Sequence, residues 1–248
     1  MTGWDRLASA AEAQTASTLD SEPRLELDPM RDMSEPVYPG TVAAWNKHIQ
    51  MSPKDFCDQI LRDLPEGLRI TMHLNQDGVG SLEIGPQHGH MSRYISQRNF
   101  DARTGEAQHN RLDIADNLQR RGLAALSFRN LLPLYRQLDI NRIKVQARGT
   151  HAACCWARYG FIPEQSSWTE LQGKLIEQAG SDAELAGRIK DMAATDLPAF
   201  ADTADGAKML VDQEFDGWLD LSDTQATQRL TTLITKAEAP EAASAPRP

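Results

Sequence analysis

The hydrophobic pattern changes its period twice in the middle of this chain. Apolar and polar residues alternate over 68–74, which is the two-residue period of a half-buried strand. Leucines and alanines then recur at the helical period from 118 to 138, and the pattern alternates again over 142–147. A strand, a helix longer than ten residues and another strand form a crossover unit with parallel strands. Turn residues at 75–80 predict an antiparallel hairpin, so we expect an α/β fold with a mixed sheet.

The other predicted elements follow from the same patterns. Ser52 and Pro53 are typical of a helix start, and Pro65 ends that helix. The order up to residue 163 is αββ(β)βαβα, followed by further helices, the last of them capped by Ser222. The remaining predicted strands lie within 92–100, 106–115 and 161–163, and the remaining predicted helices lie at 40–49, 150–159, 175–192, 207–218 and 222–236.

Composition divides the chain into four segments. Residues 1–40 are rich in Ala, Ser, Thr, Glu and Pro and show little periodicity, so we predict a disordered leader. We expect the folded domain over 41–170, a helical extension over 171–236 and a disordered tail over 237–248.

The net charge of −9 is distributed unevenly. Residues 1–50 carry a net charge of −4, residues 51–175 carry +3 and residues 176–248 carry −8. An anionic ligand is therefore compatible with the middle of the chain, whereas the acidic flanks predict no nucleic-acid partner. The acidic helical extension is either a layer packed on the core or a docking module for a basic protein partner.

The sequence predicts no membrane partner and a cytoplasmic location. It contains no run of about 18 apolar residues, and its first twenty residues lack the apolar centre of a secretory signal peptide. Its cysteines are Cys57, Cys154 and Cys155, an odd number with two adjacent, which is typical of a reducing compartment.

A short basic segment opens the long predicted helix. Residues 119–124 read QRRGLA and follow an alternating strand that contains Leu112 and Ile114. The first amides of a helix have no partner within the helix, and the helix dipole adds positive charge, so this junction is typical of a phosphate site. Gly122 and the small Ala124 would let an anionic ligand approach the backbone closely.

This arrangement resembles the GNAT superfamily of acyl-CoA-dependent N-acyltransferases. The resemblance covers about residues 40–170, and it continues in RIKVQA at 142–147, THAACCWARY at 150–159 and Gly160-Phe161. The Trp-Ala-x-x-Gly-Phe ending is similar to one subset of that superfamily. The resemblance implies a GNAT-like acyltransferase fold with a C-terminal helical extension, and acetyl-CoA as co-substrate.

The resemblance also implies roles for particular residues. The amides of 119–124 would hold the coenzyme A pyrophosphate, and the backbone of the preceding strand would bind the pantetheine arm and polarise the thioester carbonyl, with position 114 the nearest. The implied cofactor-binding residues are Leu112, Ile114, Gln119, Arg120, Arg121, Gly122, Leu123, Ala124 and Trp156.

Two positions depart from the pattern of that superfamily. Many members carry Asn and Tyr where this chain has Gly149 and Trp156, and the Tyr commonly protonates the leaving thiolate. The N–H of an indole does not titrate near neutral pH, so Trp156 cannot act as the acid. Tyr159 lies three residues further on and is the predicted acid, the alternatives being a water, unaided departure of the thiolate or an inactive site.

A base that accepts the amine proton is expected on the central strands. The candidates are Glu83, Glu106, His109 and Asp113. His109 is preferred because imidazole titrates near neutral pH, and Asp113 is second. We predict no metal site, since the pair His88-x-His90 has no further ligand nearby in sequence.

The sequence therefore predicts an N-acyltransferase that moves an acyl group from acetyl-CoA to a primary amine by direct attack on the thioester. The acceptor is expected to be a small molecule, a peptide or a protein. Two alternatives are a catalytically degenerate interaction or structural protein of the same fold, and a delivered effector or toxin that acylates a host macromolecule.

Overall fold

The computed structural model describes residues 25–27, 44–49, 51–86, 94–119 and 121–238. The fold is mixed α+β. The chain divides into two compact units, one formed by residues up to Ile140 together with the segment from Lys236 onward, the other by Asn141–Thr235.

The first unit contains a sheet that follows the order of the chain. β1 lies parallel to β2, and each later neighbour is antiparallel, so the predicted mixed sheet and hairpin are confirmed. β1 comes from the segment predicted as a leader. The strands are β1 (Leu25–Leu27), β2 (Leu68–Leu74), β3 (Val79–Pro86), β4 (Tyr94–Asp101) and β5 (Glu106–Ile114).

The helices of this unit are a short helical segment α1 at 44–48, α2 (Pro53–Ile60) and the long α3 (Leu123–Gln137). The Ser52 hydroxyl accepts a hydrogen bond from the Asp55 amide at 3.1 Å, which confirms the predicted cap of α2. One face of α3 is apolar and fully buried, and Phe128, Leu131 and Leu134 are no more than 1% exposed. Burying this face supplies most of what holds the helix in place.

Asn130 fixes α3 to the end of α2. Its side-chain amide donates to the backbone carbonyls of Ile60 at 3.0 Å and Arg62 at 2.7 Å, both of which lie at the C-terminal end of α2. Arg129 adds an ion pair of 2.8 Å with Asp63. These bonds satisfy helix-end carbonyls that have no partner within α2.

The second unit contains three strands, β6 (Arg142–Ala147), β7 (Ile162–Pro163) and β8 (Phe215–Asp220). β8 lies between the other two and is antiparallel to both, so β6 and β7 run in the same direction.

The predicted helix over 207–218 is wrong in its second half. A helix ends at Met209, and Phe215–Asp220 forms β8 with strictly alternating burial. Asp212 has a φ of 57°, a left-handed conformation that breaks the helix. Gly217 lets β8 approach β7, since a Cβ there would lie 2.5 Å from the Ile162 carbonyl oxygen.

The helical stretch predicted over 175–192 is two helices. α5 ends at Ala179, Gly180 has a φ of 56°, and Asp182 caps the next helix by accepting from the Leu185 amide at 2.9 Å. The helices of this unit are α4 (Ala152–Arg158), α5 (Gln165–Ala179), α6 (Ala183–Asp191), α7 (Leu197–Ala201), α8 (Ala204–Met209) and α9 (Thr224–Glu238), the last three residues of α9 belonging to the first unit.

The cap of α9 also differs from the prediction. The Asp223 carboxylate, not the Ser222 hydroxyl, accepts from the first free amides of the helix, those of Gln225 and Ala226. Among the described residues, no helix is both long and apolar enough to cross a membrane.

Candidate functional site

An extra residue in β5 determines which way its side chains face. Gln97 of β4 pairs with Arg111, but the next residue, Arg98, pairs with His109, so Asn110 is left without a partner on β4. This is a β-bulge, an irregularity that is common beside active sites. Because of it, His109 faces α3, whereas Asp113 faces the opposite side of the sheet.

His109 lies in the core, where it cannot contact an acceptor amine. It is 4% exposed, its ring stacks on Phe128 with 5.2 Å between ring centroids, and its Nε2 lies 2.6 Å from the Tyr135 hydroxyl oxygen. Burial, with a smaller contribution from the charge of Arg98, holds the pKa of His109 well below its usual range. Arg98 also interacts with the Tyr135 hydroxyl. Since a guanidinium only donates, we assign the Tyr135 proton to the bond with His109.

Asp113 lies on the exposed face of β5, where an acceptor could reach it. Its carboxylate accepts a hydrogen bond from Arg111 Nε at 2.7 Å and forms an ion pair with the same guanidinium. Glu83 lies on the same face, and Gln97 donates to it at 3.0 Å. The pairing of Glu83 with Gln97 and of Gln97 with Arg111 places these side chains in one cross-strand row. Glu106, the fourth candidate base, lies at the far end of β5.

The loop between β5 and α3 is held by Gln119. Its side-chain amide donates to the Ile114 carbonyl at 2.9 Å, and its backbone amide donates to the Ala115 carbonyl at 3.0 Å. Leu112 and Ile114 are half-buried and face the same side of the sheet as Ser96 and Tyr94, their partners on β4. The Ile114 carbonyl, part of the strand backbone that the resemblance assigns to the pantetheine arm, thus already has a partner within the protein.

Gly122 begins α3 in the left-handed region, with a φ of 73°. No side chain accepts a hydrogen bond from the first turn of the helix, so the amides of Leu123 and Ala124 are available to a ligand. Arg121 is exposed beside them, and Ala124 is half-buried. Arg120 lies outside the described residues, as does the pair at 88 and 90.

The C-terminal end of α9 lies against this glycine. A Cβ on Gly122 would be 2.6 Å from the Ala237 Cβ, closer than carbon atoms approach without displacement. The close approach that we predicted for a ligand at Gly122 is therefore made by the chain itself. A ligand on the amides of α3 would have to share the space around Gly122 with Ala237 or displace it.

Trp156 and Tyr159 lie together in the second unit. Their ring centroids are 6.3 Å apart, and the Trp156 ring also meets Phe161 edge to face at 5.1 Å. Tyr159 is half-exposed at the C-terminal end of α4. The phenol ring of the predicted acid thus lies beside the indole that replaces the usual Tyr.

The described cysteines do not have the lowered pKa of a reactive thiol. Burial raises the pKa of Cys57 to about 12 and also raises the pKa values of Cys154 and Cys155, which disfavours a thiolate at these positions. In the described part of the chain, no three His, Cys, Asp or Glu side chains are grouped so that they could hold a metal ion.

Sequence reasoning missed three features of this region. The bulge at Asn110 did leave a signal, because the apolar positions of β5 change from odd numbers, at Ala107, to even numbers, at Leu112 and Ile114. The burial of Arg98 left no signal in the sequence, because an arginine in an alternating strand looks the same whether its side chain is buried or at the surface. The contact of Ala237 with Gly122 joins residues far apart in sequence, and a single sequence holds no signal for it.

A scan against protein-family models finds no match for this chain, and a search of the curated proteins finds no matching relative.

The buried His109 predicts a pH-dependent stability. Because its pKa is lowered in the folded state, the unfolded chain binds a proton more readily below about pH 6.5, the usual His value. Stability should therefore be lost as the pH falls below that value, by about 1.4 kcal/mol for each pH unit until the folded pKa is reached. Urea unfolding at pH 7.5, 6.5 and 5.5 measures this slope.

The matched comparison is His109→Gln against His151→Gln. His151 is exposed, so its variant should keep the slope of the unmodified protein, whereas His109→Gln should flatten it. Equal slopes in all three proteins would show that His109 does not carry the effect.

Proposed function

We propose that this protein is an N-acyltransferase that transfers an acetyl group from acetyl-CoA to a primary amine, in a GNAT-like fold and in the cytoplasm. The observation that carries the proposal is the junction of the bulged strand β5 with α3. There, Gly122 is left-handed and no side chain caps the amides of the first helical turn.

The residues at this junction fit the phosphate groups of coenzyme A. Backbone amides and the positive end of a helix dipole favour a pyrophosphate, and Arg121 adds a full charge close to them. Leu123 and Ala124 supply the nearest free amides. Gln119 would keep the loop in this conformation through its bond to the Ile114 carbonyl.

The strand before the loop would position the thioester. The bulge leaves Asn110 without a paired residue on β4. A backbone N–H in this part of β5 would polarise the thioester carbonyl, and position 114 of the sequence-based proposal lies four residues further along the same strand. Such a donor acts on the charge that develops during transfer.

Asp113 is the better of the two preferred bases for this reaction. It is exposed, whereas His109 is enclosed by α3 and cannot reach a substrate. Acetyl-CoA supplies the activated acyl group. Asp113 would accept the proton of the attacking amine, directly or through water, as the nitrogen–carbon bond forms and the carbon–sulfur bond breaks. A water would give a proton to the departing thiolate.

The acceptor is proposed as a primary amine on a small molecule, a peptide or a protein. Glu83 lies in the same cross-strand row as Arg111, about 10 Å away across two strand spacings, and would favour a cationic amine near Asp113. The acidic helices of the second unit are a separate candidate surface for a basic protein partner.

Substitution of Ala124 tests coenzyme binding without a cost to the helix. A carboxylate in the first turn of α3 stabilises the helix through its interaction with the helix dipole, but it repels a pyrophosphate. Ala124→Glu should fold normally and lose at least tenfold in acetyl-CoA affinity by isothermal titration calorimetry. Ala124→Gln, equal in size and uncharged, should keep most of the affinity.

Absence of measurable binding to the unmodified protein would refute the proposal. Equal binding by the two variants would show that the phosphates lie elsewhere.

Substitution of Asp113 separates binding from chemistry. Asp113→Asn should lower kcat by about 10²-fold or more, with acetyl-CoA affinity unchanged, because the amide cannot accept the proton. Release of free thiol against a panel of primary amines measures this. Glu106→Gln, at the far end of β5, serves as the control and should retain activity.

Coenzyme binding without thiol release by the unmodified protein would favour the degenerate interaction protein instead.

Removal of the last residues of α9 tests whether Ala237 restricts the site. A chain that stops after Lys236 should bind acetyl-CoA several-fold more tightly than one that stops after Ala237, because only the first lacks the contact with Gly122. The two chains differ by one uncharged residue and carry the same net charge. If their affinities are equal, the end of α9 does not obstruct the coenzyme.

A further inference from the structure

Arg98 is a buried positive charge with incomplete hydrogen bonding. The residue is 2% exposed and lies on the face of β4 that packs against α3. Its Nη2 donates to the Ser127 hydroxyl at 3.0 Å. Its Nε and Nη1 are fully enclosed and have no hydrogen-bond partner. A guanidinium in this situation lacks most of the solvation it has in water.

No buried carboxylate compensates this charge. The polar or charged residues that are buried in the described part of the chain are Ser96, Arg98, His109, Ser127 and Asn130, and none of them is acidic. The neighbouring hydroxyl does not supply a negative charge either, because burial raises the pKa of Tyr135 to about 12. Arg98 also forms no ion pair with any described residue.

Two further donors lie on the same face of the strand. Tyr94, Ser96 and Arg98 are alternate residues of β4, so their side chains share one side of the sheet. Tyr94 and Ser96 are both 0% exposed, and their buried hydroxyls have no hydrogen-bond partner. Buried polar atoms without partners are rare in folded proteins, and a bound water or ion is a usual explanation.

The chemistry of these groups specifies one kind of ligand. A guanidinium can only donate hydrogen bonds, and both hydroxyls can donate. The shared complement is a negatively charged acceptor with more than one oxygen, to which an arginine can donate two parallel bonds. We propose that the row Tyr94, Ser96 and Arg98 forms an internal anion site for a small carboxylate or oxoanion, enclosed between β4 and α3.

The size and entry of the ligand follow from the same region. Because the unpartnered atoms are closed off from solvent, the ligand has to be small enough for the interface to enclose it, and acetate and phosphate are the small anions chosen as probes. The regular ladder of β4 and β5 is interrupted between Gln97 and Arg98, at the residue that carries the guanidinium. We place the entry at this irregularity. The proposal does not depend on acyl transfer.

The test compares the stabilising effect of anions on two proteins. Arg98→Met keeps a long side chain and removes the charge. Thermal unfolding is followed with sodium acetate, sodium phosphate and sodium chloride at matched ionic strength. A ligand at a hundred times its dissociation constant increases the ratio of folded to unfolded protein about 100-fold.

We expect acetate or phosphate, but not chloride, to raise the Tm of the unmodified protein to a saturating value, and neither to do so in Arg98→Met. Arg103→Met, at an exposed turn arginine, should respond as the unmodified protein does. Acetate and phosphate are compared directly, so the stronger response identifies a carboxylate or an oxoanion as the preferred ligand.

Three results would refute the proposed anion site. These are equal anion responses in the unmodified protein and Arg98→Met, a chloride response as large as that of the oxygen anions, or no anion response in the unmodified protein. If Arg98→Met does not fold, Ser96→Ala replaces it, because it removes one unpartnered hydroxyl with little change in volume. Ser96→Ala should weaken the anion response at least severalfold, and an unchanged response would overturn the proposal.

Discussion

The single extra residue in β5 is the constraint on which the candidate site depends. Without the bulge at Asn110, the two-residue period of a strand would place His109 and Asp113 on the same side of the sheet. With it, the imidazole is packed beneath α3, and the carboxylate stays at an exposed surface. The first half of β5 therefore packs in the core, and its last residues include a carboxylate that a substrate can reach.

The packing of α3 on β4 combines apolar burial with polar contacts that carry a cost. Phe128 and Leu131 provide the apolar area, while Ser127 and Tyr135 meet Arg98 from the helix. Replacing an incompletely paired buried charge by an apolar side chain is often stabilising. A protein that places Arg98 here accepts a loss of stability at this interface, and binding of an anion would offset that loss because it favours the folded state.

Much of the fold could be predicted from the sequence, because its strands and its long helix bury one face each. The strand at 68–74, the hairpin and α3 leave clear periods of two and 3.6 residues. The strand at Phe215–Asp220 was missed, although it alternates, because it lies among helices in an acidic segment. Periodicity states which residues share a face, but it does not state which distant segment covers that face. The contacts of Tyr135 with His109 and of Ala237 with Gly122 are both made by such distant segments, so periodicity does not predict them.

Gly122 illustrates why a short motif and a binding site are different things. Its φ of 73° and its contact with Ala237 each require glycine, so the packing of this chain explains the residue without any ligand. The neighbouring amides are different. Many helices begin with an N-cap residue whose side chain accepts a hydrogen bond from an amide of the first turn, as Ser52 does for α2 and Asp182 for α6. α3 has no such side chain because its N-cap is Gly122, and α4 and α5 also begin without a side-chain cap. The free amides of the first turn, rather than the glycine before them, are therefore the groups of this loop that an anionic ligand would bind.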